Sequence, residues 1–131
     1  MSAKKNNDGL ENLGNALKRL DEALREPKDA PLVLDGTIQR FEFVIELFWK
    51  TLMRLLANEG IQCATPREAI NGAFRAGWIE DEKKWLDMIT DRNATSHVYN
   101  QAQALHIYER ILKHAPILRK AYKELRKRFA G

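Results

Sequence analysis

The sequence predicts an all-α protein, an up-and-down bundle of four or five helices. Apolar residues recur at helical spacing along several long segments, which is the pattern of amphipathic helices. Prolines, glycines and capping side chains divide those segments at lengths typical of helices. No segment alternates polar and apolar residues for long enough to form a strand.

The first two predicted helices are joined by a proline-containing connector. Asp8 is expected to cap the first helix, which carries five leucines at helical spacing and ends before Pro27. The second helix is predicted to begin between Leu32 and Thr37 and to run to 58–60. Its apolar residues fill a broad arc, which indicates a helix that packs at the centre of the bundle.

Capping signals mark the third and fourth helices. Thr65 precedes a proline and is followed three residues later by Glu68, which predicts a capping box, and Gly77 predicts a left-handed stop. Asp81 is expected to cap the fourth helix. This helix should end near Ser96, because the residues that follow are poor helix formers.

The fifth helix is predicted to begin around Asn100. Pro116 must kink it or restart it, since proline removes one backbone hydrogen bond and crowds the preceding turn. The apolar stripe then continues to Phe129.

Composition limits the protein class. The chain has 131 residues, the size of one domain, which we place at 1–131 with a core at 9–128. It has 44% hydrophobic and 31% charged residues, and Cys63 is its single cysteine. A disulfide scaffold, a signal peptide and a membrane span are not predicted, so we expect a cytoplasmic protein that makes no membrane contact. Three histidines without a close pair give no metal site, and we expect no cofactor.

The net charge of +4 is unevenly distributed. Residues 119–131 carry six basic side chains against Glu124, and the other sixteen basic and seventeen acidic residues leave −1. This basic end is compatible with a solvated helix terminus that complements the helix dipole, or with a surface that attracts phosphate.

One apolar pair falls outside the predicted core face of the second helix. Phe43 and Leu47 lie four residues apart among polar residues. They predict either a second contact surface, through which the second and fourth helices form a symmetric dimer, or two ordinary partly exposed residues.

The residues best suited to binding or catalysis lie at the end of the fourth helix. Arg92 falls within the apolar arc of its helix, and a guanidinium there needs a partner. The candidates are a carboxylate such as Glu42 or Glu46, or an anionic ligand.

His97 and Tyr99 follow Arg92 after the expected end of the helix. In an extended segment their side chains lie on the same side. Arginine binds phosphate oxygens and histidine transfers protons near neutral pH, so the group suits phosphate chemistry. The alternative is a structural ion pair with a helix cap. His106 and His114 are interpreted as surface or packing residues.

The segment 92–99 has the pattern Arg-x4-His-x-Tyr and resembles the motif of HEPN domains, helical bundles of higher eukaryotes and prokaryotes. The longer string DRNATSHVYN at 91–100 resembles one branch, the nucleotidyltransferase substrate-binding proteins. The segments 35–50 and 66–78 fit the same branch. The resemblance covers 10–126.

The resemblance implies a homodimer in which two such segments face each other, and a minimal nucleotidyltransferase as partner. It implies that His97 transfers a proton and that Arg92 holds phosphate with Asn93 in support. Glu42 and Glu46, the candidate carboxylate partners of Arg92, are expected to support the same site. In toxin members of this group the paired cleft is a metal-independent ribonuclease, and the transferase can adenylylate the tyrosine, here Tyr99. Three functions remain open: a toxin-like ribonuclease, a non-catalytic subunit that binds a nucleotide or substrate, and a structural dimer.

Overall fold

The structure is a computed structural model that describes residues 2–129, with side chains from residue 8 onward. Within that range the chain is all-helical and contains no strand, which confirms the predicted fold class. A 3₁₀ turn separates the last two helices. In chain order the elements are α1 Ser2–Leu24, α2 Pro31–Asn58, α3 Pro66–Arg75, α4 Glu82–Ala94, the 3₁₀ turn Thr95–His97, and α5 Gln101–Phe129.

Helix α2 is the central element and packs against each of the other four α-helices. It runs antiparallel to α1, because Arg40 near its start donates a hydrogen bond to the carbonyl of Arg19, whereas Arg54 near its end lies beside Gly9. It also runs antiparallel to α4, since Phe48 stacks edge-on against Trp85 at the start of α4. The end of α4 therefore meets the first half of α2.

The core is formed by apolar residues that all five helices contribute. Its largest fully buried side chains are aromatic and branched aliphatic, which is the composition expected for helices that interdigitate. They include Trp85, Phe41, Phe48, Leu10, Leu13, Leu20, Ile45, Leu52, Leu55, Leu56, Ile70 and Met88. Between residues 2 and 129, no helix is long and apolar enough to cross a membrane.

The predicted helix boundaries in the middle of the chain are confirmed. The Thr65 side chain accepts a hydrogen bond from the backbone N–H of Glu68 at 3.1 Å. The Glu68 carboxylate accepts one from the N–H of Ala64 at 2.7 Å, so the returning bond of this capping box reaches one residue before the cap. Gly77 has a φ of 79°, and the Asp81 side chain caps α4.

Two predicted helix starts are wrong. Helix α1 begins at Ser2, so Asp8 lies inside the helix rather than at its cap. The alanine and lysines that precede Asp8 are good helix formers and extend the helix toward the N-terminus. Helix α2 begins at Pro31, slightly before the predicted range, because proline is well tolerated in the first turn.

Pro116 does not restart the fifth helix. Helix α5 continues through Pro116 to Phe129. Pro116 is exposed, and so is Leu112, whose carbonyl loses the bond that proline cannot donate. Because this part of the helix faces water, solvent can replace the missing bond.

Candidate functional site

The site lies where the first half of α2 meets the last turn of α4. Glu42 and Glu46 are one turn apart on α2. They face Arg92, on the last turn of α4, and Thr95, the first residue of the 3₁₀ turn. The Arg92 Nη2 atom lies 3.1 Å from Glu46 Oε1. The prediction that Arg92 needs a partner, either a carboxylate or an anionic ligand, is therefore met within the fold by the carboxylate of Glu46.

The ion pair leaves part of the Arg92 side chain without a partner. Its Nε atom is buried and has no hydrogen-bond acceptor among the described residues. A buried donor without an acceptor costs about 1–3 kcal/mol. The Arg92 side chain as a whole is still 29% exposed, and that of Glu46 33%. A ligand can thus reach part of the guanidinium from solvent, but the Nε itself is covered and becomes available only if the side chain moves.

Glu42, the other predicted candidate, contacts Thr95 instead of Arg92. The Thr95 hydroxyl lies 2.5 Å from Glu42 Oε2 and 2.6 Å from the backbone oxygen of Arg92. Thr95 is buried and is the first residue of the 3₁₀ turn. This contact fixes the point at which the helix ends, and so fixes the course of the chain from Arg92 to His97.

The segment that follows α4 exposes two side chains to solvent. His97 and Tyr99 are both exposed, and Tyr99 is 78% exposed. The Nδ1 atom of His97 lies 3.4 Å from the Tyr99 hydroxyl, and the ring centroids are 6.4 Å apart. The prediction that the two side chains share a side is confirmed. The separation is long for a hydrogen bond, so both groups remain available to a ligand.

Asn93 is exposed on the last turn of α4, one residue after Arg92. Its backbone oxygen accepts a hydrogen bond from the Ser96 hydroxyl at 2.9 Å. Its side-chain amide has no partner among residues 8–129, so the amide is available to an incoming group.

A buried polar cluster lies directly behind the site, and sequence reasoning missed it. We call Asp91, Arg110 and His114 the Asp91 cluster. Arg110 Nε donates a hydrogen bond to Asp91 Oδ2 at 2.6 Å, and His114 Nε2 lies 2.6 Å from the same oxygen. The His114 ring is stacked on Phe41. The cluster ties the turn that carries Arg92 to helix α5.

A sequence signal for this cluster existed. Asp91 follows the buried Met88 by three residues, which places it at the edge of the apolar arc of α4. Arg110 and His114 lie four residues apart and therefore share a face of α5. The interpretation of His114 as a packing residue is confirmed, because it is 6% exposed. His106 is exposed, as predicted for a surface residue.

Phe43 and Leu47 line a surface groove between α1 and α2. Phe43 is 57% exposed, and Leu47 is partly buried against the core. The groove measures about 360 Å³ and also includes Arg19, Gln39 and Arg40. Glu46 lies next to both apolar residues on α2, so the groove and the Arg92 site occupy adjoining faces of the same helix.

Cysteine chemistry is not favoured at Cys63. Burial, and secondarily the negative charge of Glu68, raise the pKa of this thiol above its ordinary value, so less of the reactive thiolate is present at neutral pH. Among residues 8–129 no three His, Cys, Asp or Glu side chains are grouped so that they could hold a metal ion.

Known proteins resemble this chain in sequence and in fold. A protein of Thermus thermophilus whose crystal structure is known is 33% identical, with a TM-score of 0.80, over 87% of this chain and 98% of that one. A Haemophilus influenzae protein, described as having the fold of a substrate binding domain of a nucleotidyltransferase, is 28% identical, with a TM-score of 0.79, over 89% and 98%.

A curated relative from Haemophilus influenzae Rd bears the name Probable ribonuclease HepT. It is 36% identical to this chain over 84 residues, which is 60% of this chain. The match spans 58% of the length of that relative. Residues 8–127 match the family model described as nucleotidyltransferase substrate binding protein like. Since this match includes the Arg92 site and all five helices, the chain belongs to the nucleotidyltransferase substrate-binding, HEPN-like family.

Proposed function

We propose that this chain is the toxin-like half of a cytoplasmic two-component system with a minimal nucleotidyltransferase. In a homodimer, the Arg92 and His97 residues of two copies form a metal-independent ribonuclease cleft. The observation that carries this proposal is a partly exposed Arg92 with an unpartnered Nε, five residues before a solvent-facing His97 whose Nδ1 lies 3.4 Å from the Tyr99 hydroxyl. In the Asp91 cluster, by contrast, the Nε of Arg110 donates a hydrogen bond to Asp91.

The chemistry needs only the side chains of this site. The His97 imidazole removes the proton from a ribose 2′-hydroxyl, and the 2′-oxygen bonds to the adjacent phosphorus. The bond from phosphorus to the 5′-oxygen breaks, and that oxygen takes a proton from the second copy of His97. Arg92 stabilises the negative charge that develops on the phosphoryl oxygens. The products are a 2′,3′-cyclic phosphate and a free 5′-hydroxyl.

Tyr99 is the proposed site of control. Its exposed hydroxyl lies 3.4 Å from His97 Nδ1, so an adenylyl group on that oxygen would place a bulky phosphate beside the imidazole. The modification would block the cleft by steric exclusion and by charge repulsion of the RNA phosphate.

The dimer is proposed to form through α2 and α4, with Phe43 and Leu47 at the contact. An exposed phenylalanine beside the Arg92 site would be buried by a second copy, and the same contact would bring the two sites together.

The function is tested by expressing the protein without its transferase. We expect growth arrest in cells and metal-independent cleavage of RNA by the purified protein. His97→Ala should slow cleavage by about 10²–10⁴-fold and abolish the arrest, because it removes the proton-transfer group. His106→Ala is the matched control, since His106 is an exposed histidine on α5 that makes no hydrogen bond to His97 or Tyr99. An inert wild-type protein, or equal activity of both variants, contradicts the proposal.

The second candidate is a non-catalytic subunit that binds a nucleotide or substrate for the transferase. It is favoured by the structural relative described as a substrate binding domain of a nucleotidyltransferase. It predicts that cells tolerate the wild-type protein and that the protein still binds the transferase.

The proposed adenylylation of Tyr99 is tested by co-expression with the transferase, followed by measurement of the intact mass. We expect the wild-type protein to gain the mass of one or more adenylyl groups and Tyr99→Phe to gain none. Tyr122→Phe, a change at a tyrosine that packs against α1, should gain the same mass as wild type. An unchanged gain in Tyr99→Phe refutes the proposed site.

Sedimentation at micromolar concentration tests the dimer. The wild-type protein should sediment as a dimer and Phe43→Glu as a monomer, because the substitution places charge in an apolar contact. Phe74→Glu changes another exposed phenylalanine, on α3, and should leave the dimer intact. A monomeric wild-type protein excludes the paired cleft.

A further inference from the structure

The basic end of α5 carries cations that the fold leaves without partners. Of its six basic residues, Arg119 is paired with Asp21 at 2.6 Å and Lys120 with Glu80 at 2.7 Å. The guanidinium of Arg128 lies 3.5 Å from the carbonyl oxygen of Gly77. The other three make no ion pair or hydrogen bond with residues 8–129, and all three are exposed: Lys123, Arg126 and Lys127. We call these three the cationic edge.

Helix geometry places these three charges together. Lys127 follows Lys123 by four residues and Arg126 follows it by three, so they share one side of the last two turns of α5. Like charges at this spacing repel each other and destabilise a helix by about 0.2–0.5 kcal/mol per pair. The favourable effect of the helix dipole is confined to the last turn, so it accounts for Arg126 and Lys127 but not for Lys123. The helix dipole therefore explains two of the three charges, and Lys123 has no such explanation in the isolated protein.

The cationic edge is separated from the Arg92 site by part of helix α5. Asp91, which precedes the arginine of the site, contacts His114 on α5. Lys123 lies nine residues beyond His114, which is about 14 Å along the axis at 1.5 Å per residue and on the opposite side of the helix at about 100° per residue. A mononucleotide bound at Arg92 cannot reach the cationic edge. An extended polyanion can contact both.

We propose that the cationic edge is a second binding surface for RNA, which holds the phosphate backbone of a long strand whose scissile segment lies at Arg92 and His97. The inference rests on the proposed ribonuclease function and adds its substrate class, an extended RNA chain rather than a free nucleotide. The surface contributes affinity without base specificity, since exposed lysine and arginine bind phosphates of any sequence.

The test measures the salt dependence of RNA binding in the His97→Ala background, so that the RNA stays intact. The probe is a fluorescently labelled single-stranded poly(A) RNA longer than the helix. The test variant carries Lys123→Gln, Arg126→Gln and Lys127→Gln. The control carries Lys18→Gln, Arg67→Gln and Lys113→Gln, which remove the same charge from three exposed cations that also lack partners among the described residues.

Loss of three phosphate contacts should make the negative slope of log affinity against log salt shallower by about 2. Raising the salt from about 50 to about 200 mM should then weaken the binding of the parent about 20-fold more than that of the test variant. The control variant should keep the slope of the parent. Binding of AMP should be equal in all three proteins, because AMP cannot span the distance.

Equal slopes in the test and control variants would overturn the proposal, since the effect would then be one of net charge. An unchanged slope in the test variant would overturn it as well. Loss of transferase binding with unchanged RNA binding would instead assign the cationic edge to an acidic protein surface. Failure of the wild-type protein to cleave RNA would refute the proposed function, but it would not affect this measurement, which depends on binding alone.

Discussion

Two neighbouring arginine clusters differ in how completely the fold satisfies them. In the Asp91 cluster, Arg110 and His114 both lie 2.6 Å from one carboxylate oxygen, and Asp91 and His114 are almost fully buried. At the Arg92 site one carboxylate, Glu46, contacts one end of the guanidinium at 3.1 Å, and the Nε has no acceptor among the described residues.

The difference is the basis for proposing a supporting role for the Asp91 cluster and a binding role for the Arg92 site. A buried carboxylate with two short contacts has little capacity left for a ligand, and its removal leaves charges that the fold cannot compensate. A half-exposed arginine with an unused donor has lost solvation without full replacement and gains from an anionic ligand. Because Asp91 and Arg92 are adjacent in sequence, the Asp91 cluster anchors the helical turn from which Arg92 reaches the surface.

The largest expected effect on stability follows from removing the Asp91 carboxylate. Asp91→Ala should lower the free energy of unfolding by about 3 kcal/mol, because it leaves the buried His114 ring and the partly exposed Arg110 without their carboxylate. Urea denaturation measures this loss. Asp87→Ala, which removes a surface carboxylate paired with Lys83 on the same helix, is the matched control and should cost under about 1 kcal/mol. Equal losses would show that the Asp91 cluster does not support the fold.

An intermediate effect is expected at the contact that ends α4. Thr95→Val keeps the shape of the side chain but removes the hydroxyl that Glu42 binds, and should cost about 1–2 kcal/mol. Thr90→Val on the same helix should cost less, since Thr90 is exposed and bonds only to the backbone oxygen of Leu86. A loss at Thr95 no greater than that at Thr90 would mean that the Glu42 contact does not hold the turn.

The smallest effect is expected at the Arg92 site itself. A double-mutant cycle of Arg92→Ala and Glu46→Ala, followed by urea denaturation, should give a coupling energy of about 1 kcal/mol or less, because both side chains are partly exposed. The corresponding cycle of Asp91→Ala and Arg110→Ala should give a larger value. A coupling above about 2 kcal/mol at Arg92 would favour the structural dimer over a binding site.

Much of the site was predictable because its signals are local. Arg92 falls on the apolar arc of its own helix, and that alone required a partner. The end of the helix and the shared side of His97 and Tyr99 follow from residues within one or two turns. The roles of Arg92, His97 and Tyr99 in catalysis and control come from the family resemblance and stay predictions. So do the dimer through Phe43 and Leu47 and the supporting role of Asn93.

The sequence by itself determined the helices, their caps in the middle of the chain and the need of Arg92 for a partner, since each depends on periodicity or on neighbours a few residues away. Only the tertiary structure decided that this partner is the carboxylate of Glu46 rather than that of Glu42, and that Asp91 joins residues nineteen and twenty-three positions later in the chain. It also decided which cations of α5 stay unpaired. Periodicity assigns a residue to a face of its helix, but the rotation and axial position of two packed helices decide which side chains on those faces come within hydrogen-bond distance.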